Sequence, residues 1–180
     1  MSTAVTKVLL LALCGGGLGL GTVHAMDAFG VLIVHTPSIA EGLYRRRPVG
    51  NRPFQLGEVV CLDATSQFAP DVLREGIASG RFPALWRDEP LVKHVAALAG
   101  SALAYNPQRG VLVDEEALPN SRRKRVDLEG NALPSPSMPT HVPAGHVWLA
   151  SSHPDGFDSR YIGPVDERAL SCVAEAVWTF

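Results

Sequence analysis

At 180 residues the chain is long enough for one domain with a sizeable core. Hydrophobic residues make up 46% and charged ones 19%, a balance that excludes both a disordered polyelectrolyte and a wholly membrane-embedded bundle. A net charge of −2 offers no electrostatic basis for nucleic-acid binding, and 14 prolines with 17 glycines favour short strands and turns over long helices.

In chain order, the first feature is a charge-free run over residues 8–26, bounded by Lys7 and Asp27. At about 1.5 Å per residue it is just long enough for a hydrocarbon core of roughly 30 Å. Two readings stay open. One is a single anchor with Lys7 on the cytoplasmic side; the other is a cleaved signal peptide ending at the small-residue site Val23-His24-Ala25. Either way residues 1–25 form an anchor or signal peptide, and residues 26–180 form an exported, periplasm-facing domain. Residues 28–34 read as a buried strand leading to Thr36-Pro37-Ser38, where Pro37 biases its predecessors towards extended conformations. Gly42 reads as a turn before Leu43 and Tyr44. A second strand is expected over 57–62. Residues 66–90 read as an insertion with a short helix at 70–79, and 91–98 is the third strand. A hairpin joins 102–105 to 110–113 around Asn106-Pro107-Gln108-Arg109.

The stretch 114–145 is loop-rich and carries Arg122-Arg123-Lys124-Arg125, either a solvated loop or a contact with anionic lipid headgroups. Strands are again expected over 146–150 and 173–179. The resulting fold class is mainly β: a folded antiparallel sheet or partly open barrel with small helical insertions and an N-terminal hydrophobic segment. Trp148, Trp178 and Tyr161 read as core aromatics. Cys61 and Cys172 either pair in an oxidising compartment or stand as two buried thiols. No spaced Cys/His set points to a metal, and no cofactor is expected.

Candidate chemistry centres on Lys93. In a strand, Leu91, Lys93, Val95 and Ala97 share one face, so the ammonium group would sit among apolar side chains. Burial disfavours the charged form and lowers the lysine pKa, leaving an amine able to take a proton from a serine hydroxyl. Ser38 is the candidate nucleophile. The competing readings of such a lysine are an edge residue or a side chain that snorkels to water. A Ser–His–Asp hydrolase finds less support, because no G-x-S-x-G elbow is present; His94 and His153 read as satisfied polar histidines.

Four segments in order resemble the type I signal peptidase family, with its serine–lysine dyad, and within it the conjugative-transfer TraF branch. They are Thr36-Pro37-Ser38 with Gly42-Leu43-Tyr44; Gly57-Glu58-Val59-Val60; Leu91-Val92-Lys93-His94-Val95-Ala96-Ala97 with Gly100; and Phe157-Asp158-Ser159-Arg160-Tyr161-Ile162-Gly163-Pro164-Val165. The resemblance implies a signal-peptidase-type fold and a serine endopeptidase with Ser38 as nucleophile and Lys93 as general base. Asp158 would be the acidic residue supporting activity, either by fixing Arg160 or by bonding near the Lys93 amine. Thr36 would help bind the oxyanion, its other reading being a turn hydroxyl; Ser159 and Arg160 belong to the supporting motif. The implied substrate is a pilin precursor or other preprotein, and the implied partner a conjugation apparatus at the inner membrane. A non-catalytic assembly component and a general signal peptidase are the alternatives. This chain departs from the pattern at Ala40, Glu58, Ser101 and Gly156. Gly156 stands where many relatives have a serine that contacts the lysine, and Ser152 is the candidate replacement.

Overall fold

The computed structural model describes residues 30–36, 38–83 and 85–180. The expected anchor or signal peptide at 1–25 lies outside the described residues, and no described helix is long and apolar enough to cross a membrane.

Side-chain alternation organises the larger sheet. Its strands are β1 (Val31–Val34), β2 (Gly42–Arg47), β3 (Val59–Leu62), β4 (Leu91–Ala97), β8 (His146–Ala150), β9 (Val165–Asp166) and β10 (Leu170–Thr179). They lie in the order β1-β2-β10-β3-β4-β8-β9, with antiparallel neighbours throughout. A smaller sheet holds β5 (Leu103–Asn106), β6 (Gly110–Val113) and β7 (Glu116–Ala117). Short helices α1 (Asp71–Ala78), α2 (Leu85–Asp88) and α3 (Ser159–Ile162) fill the connections. The fold is a mainly antiparallel, open sheet with small helical insertions.

Adjacent residues of one strand face opposite cores. Val60 and Leu62 enter the main core with Leu91, Val95, Val147 and Leu149, closed over by Leu73 and Ile77 of α1. Cys61 points the other way, into a second core with Val34, Ile39, Tyr44, Val92 and Cys172. Cys61 and Cys172 face each other across β3 and β10 and are joined by a disulfide. That crosslink spans a sequence separation of 111 residues. Closing a loop of this kind in the unfolded chain stabilises the fold by roughly 2–5 kcal/mol.

Three expectations change. Gly42 opens a strand rather than a turn, because it pairs with Val34 on one side and Thr179 on the other. A Cβ there would collide with the Trp178 carbonyl, so the absent side chain lets β10 approach. Helix α2 was not expected within the 66–90 insertion. Trp148 and Tyr161 are core residues, at 1% and 2% exposure, but Trp178 is 61% exposed. It lies near the end of β10, beyond the register shift between Ala176 and Trp178, and packs on Phe180.

Candidate active site

The turn carrying Ser38 is tied down along its length. Ser152 N donates to the Ser38 carbonyl at 2.8 Å, Tyr44 OH donates to the Ala40 carbonyl at 2.7 Å, and Phe180 N donates to the Glu41 carbonyl at 3.1 Å. Ile39, next to the serine, is buried in the second core. With its neighbour inward and its carbonyls bonded, the Ser38 side chain faces a groove of about 350 Å³. Thr36, Lys93 and Gly156 line the same groove.

Strand β4 delivers the lysine. Its register sets Lys93 opposite Val60, with Leu91 and Val95 on the same face of the strand in the main core. The side chain is only 5% exposed, and its Nζ donates to Ser38 Oγ at 2.7 Å. Burial is the largest influence on this amine and lowers its pKa from 10.5 to about 8. The Asp158 charge acts in the opposite direction, and the Arg160 guanidinium reinforces the lowering. The groove therefore holds an amine that is substantially uncharged in mildly basic solution, within proton-transfer distance of one hydroxyl.

Behind the groove lies a buried ion pair. Asp158 and Arg160 are 2% and 1% exposed, and Arg160 Nε and Nη2 donate to the two Asp158 oxygens at 2.8 and 2.9 Å. Asp158 also caps α3, accepting from Arg160 N at 3.0 Å, and accepts from Ser151 N at 2.9 Å. The rest of the Arg160 fork is taken by main-chain carbonyls: Nη1 donates to Asn120 at 2.7 Å and Pro154 at 3.0 Å, and Nη2 to Gly156 at 2.6 Å. A planar guanidinium with this many acceptors is satisfied despite its burial. One side chain thereby gathers two loops around the site.

Each expected residue now has a place. Ser38 and Lys93 meet. With two placements open to Asp158, its hydrogen bonds go to Arg160 and to the Ser151 N–H. Ser159 is fully buried and accepts from Leu149 N at 2.9 Å, a bond that ties it to β8. Thr36 is exposed on the groove wall. His94 Nδ1 lies 3.5 Å from the Gly57 carbonyl oxygen, and His153 lines the groove beside Asp155.

The space beside Gly156 is taken by Ser151, next to Ser152. Ser152 contributes its backbone N–H, whereas the Ser151 side chain fills the space: a Cβ on Gly156 would collide with Ser151 Oγ and Cβ. Ser151 is 5% exposed, and its Oγ donates to the Ser38 carbonyl at 3.4 Å.

Comparison with known proteins places this geometry. Residues 25–179 match the family described as "Signal peptidase, peptidase S26". A conjugal transfer protein TraF of Agrobacterium tumefaciens (strain 15955) is 34% identical, over 81% of this chain and 80% of its own. A plasmid transfer protein TraF of Escherichia coli is 31% identical, over 92% of this chain and 93% of its own. Among solved structures, a signal peptidase I of Enterococcus faecalis V583 is similar at a TM-score of 0.40 and 15% identity, over 69% of this chain and 98% of that one. A match across nearly the whole described chain, with relatives above 30% identity, makes the conclusion plain: the chain belongs to the S26 signal peptidase family of hydrolases, and is homologous to its TraF branch.

Proposed function

We propose that the protein is a serine endopeptidase that cleaves a pilin precursor at the outer face of the inner membrane, serving a conjugation apparatus. The observation that carries this reading is the 2.7 Å separation of Lys93 Nζ and Ser38 Oγ, with the amine buried. The free amine takes the hydroxyl proton as Ser38 Oγ attacks the scissile carbonyl. Negative charge gathers on the carbonyl oxygen, where the Ser38 N–H and the Thr36 hydroxyl are the proposed donors. Collapse of the tetrahedral species breaks the C–N bond, and the Lys93 ammonium returns the proton to the departing amine. An acyl-enzyme on Ser38 remains.

Two nucleophiles compete for that ester. Water gives a linear product; the amino terminus of the cleaved pilin gives a ring. The Cys61–Cys172 bridge supports an oxidising compartment for the domain, in keeping with a periplasmic site.

The test is co-expression with a candidate pilin precursor and comparison of wild type, Ser38→Ala and Lys93→Met by intact mass. Processing by wild type alone is expected. A product lighter by one water than the linear pilin identifies cyclisation. Identical precursor masses in all three strains would remove the enzyme and leave an assembly component.

A further inference from the structure

We propose that a second, aromatic pocket beside the catalytic groove is a substrate subsite, taking an apolar side chain of the preprotein removed from its scissile bond. The inference rests on the peptidase reading of the groove and adds a determinant of substrate choice. The pocket encloses about 510 Å³, more than the 350 Å³ groove, and the two are continuous: Trp86, Leu128, Asp155 and Phe157 line both. An extended polypeptide held at Ser38 has this pocket as its neighbour.

Its wall is a chain of rings. Phe82 lies 5.3 Å from Trp86 and 4.9 Å from Phe157, and Phe157 stacks on Tyr161 at 5.5 Å. Gly76 in α1 makes this possible, since a Cβ there would collide with the Phe82 ring. Opposite the rings, Val126 and Leu128 are 48% and 84% exposed. A single exposed leucine means little by itself. Here, however, the loop that carries it is braced. Asp127 accepts from Glu129 N at 2.9 Å and Asn131 N at 2.8 Å, and Asp127 N donates to the Asn131 carbonyl at 2.9 Å. Leu128 is therefore held at the junction of the two cavities on a hydrogen-bonded tip.

Most of the pocket's charged lining is already engaged: Lys124 pairs with Asp155, Asp127 bonds within its own loop, and Arg81 donates to the Ala132 carbonyl, with Glu129 as the remaining charged residue. Beside them lies apolar surface, and burying an apolar side chain against it favours binding.

Binding to the full-length Ser38→Ala protein in detergent micelles separates this from catalysis. Its leucine and valine methyl groups are labelled and followed by NMR during titration with two peptides. One spans the cleavage region of the candidate pilin precursor. The other has serine at every apolar position beyond the immediate neighbours of the scissile bond. The first peptide should shift the Leu128, Val126 and Leu133 methyls and the second should not; Leu128→Asp should weaken the first at least about tenfold more than the second. Shifts confined to Val34 and Val92 with both peptides, an equal effect of Leu128→Asp on both, or no shifts at all would overturn the subsite. A failure of the peptidase reading shows elsewhere, in unchanged precursor masses. If the pocket instead holds a second copy of this chain, the same methyls move on dilution without peptide, which also overturns the proposal.

Discussion

Lys93 and the loops that face it are positioned by different physics. The lysine is set by a sheet: β3 and β8 flank β4, and the register of Lys93 against Val60 leaves its side chain one direction to point. Loops 118–125 and 151–157 have no such lattice. They are gathered by the Asp158–Arg160 pair, whose donors reach carbonyls as far away as Asn120, 40 residues along the chain. A strand tolerates the loss of one side chain without losing its register, because many backbone bonds share the task. A loop assembly held by a few side-chain bonds, those of Arg160 with the Asn120–Ser152 hydrogen bond and the Lys124–Asp155 pair, has fewer to share it.

The contrast sorts substitutions by what they should break. The largest effect is expected on the sheet side and on activity. Lys93→Met should lower processing by about 10²–10⁴-fold, as expected for loss of a general base. It should not unfold the protein. Lys93 has a folded pKa of about 8 against an ordinary 10.5, so the unfolded chain binds the proton more readily between those values. The cost of burying this group is present in full below pH 8 and disappears as pH rises through 10.5. Lys93→Met should therefore raise Tm at pH 6–7, with a gain that shrinks in alkali; a Tm lowered at pH 6–7 would mean that the amine is not desolvated.

On the loop side the expected loss is first of stability. Asp158→Asn leaves Arg160 buried with its charge uncompensated, at a cost of about 3–5 kcal/mol in chemical denaturation. In the fraction that folds, the activity profile should shift towards acid, because the Asp158 charge raises the Lys93 pKa and its removal lets burial act further. A near-neutral effect on stability would show that the loops are held by something else.

Reduction of the Cys61–Cys172 bridge, or its replacement by alanines, should cost roughly 2–5 kcal/mol. Cys61 is paired across strands with Val92, next to Lys93, so the same change should also loosen the strand that carries the base. Smallest of the four is Gly156→Ala. Its Cβ meets Ser151, so a loss of about 1–3 kcal/mol is expected from overpacking, with partial recovery when Ser151→Gly is added.

The same contrast explains what could be read from the sequence. Lys93 was legible because strand alternation is local: Leu91, Val95 and Ala97 declare which way it faces. The strand His146–Ala150 matches its expected bounds for the same reason. Gly42 misled, since a glycine after a proline-containing segment looks like a turn, and its real task, admitting the Trp178 carbonyl, belongs to a strand that lies far along the chain. Trp178 misled in turn, because hydrophobicity says nothing about a strand running beyond the core it helped to form. Ser159 and Arg160 were found through their motif, while their work of bonding Leu149 N and distant carbonyls had no local signature. The aromatic pocket was invisible for a related reason: Phe82, Leu128 and Phe157 come from three separate segments that only the folded chain brings together.

The central claim is that Lys93 works as an uncharged base beside Ser38. Its ionisation can be followed directly by NMR of the lysine side-chain carbon next to Nζ, in the wild-type protein, with Lys93→Met assigning the signal. A midpoint near pH 8, matched by the rising limb of the pH–rate profile, is the predicted result. A midpoint at the ordinary 10.5 would place a charged ammonium beside the serine throughout the working pH range and contradict the account.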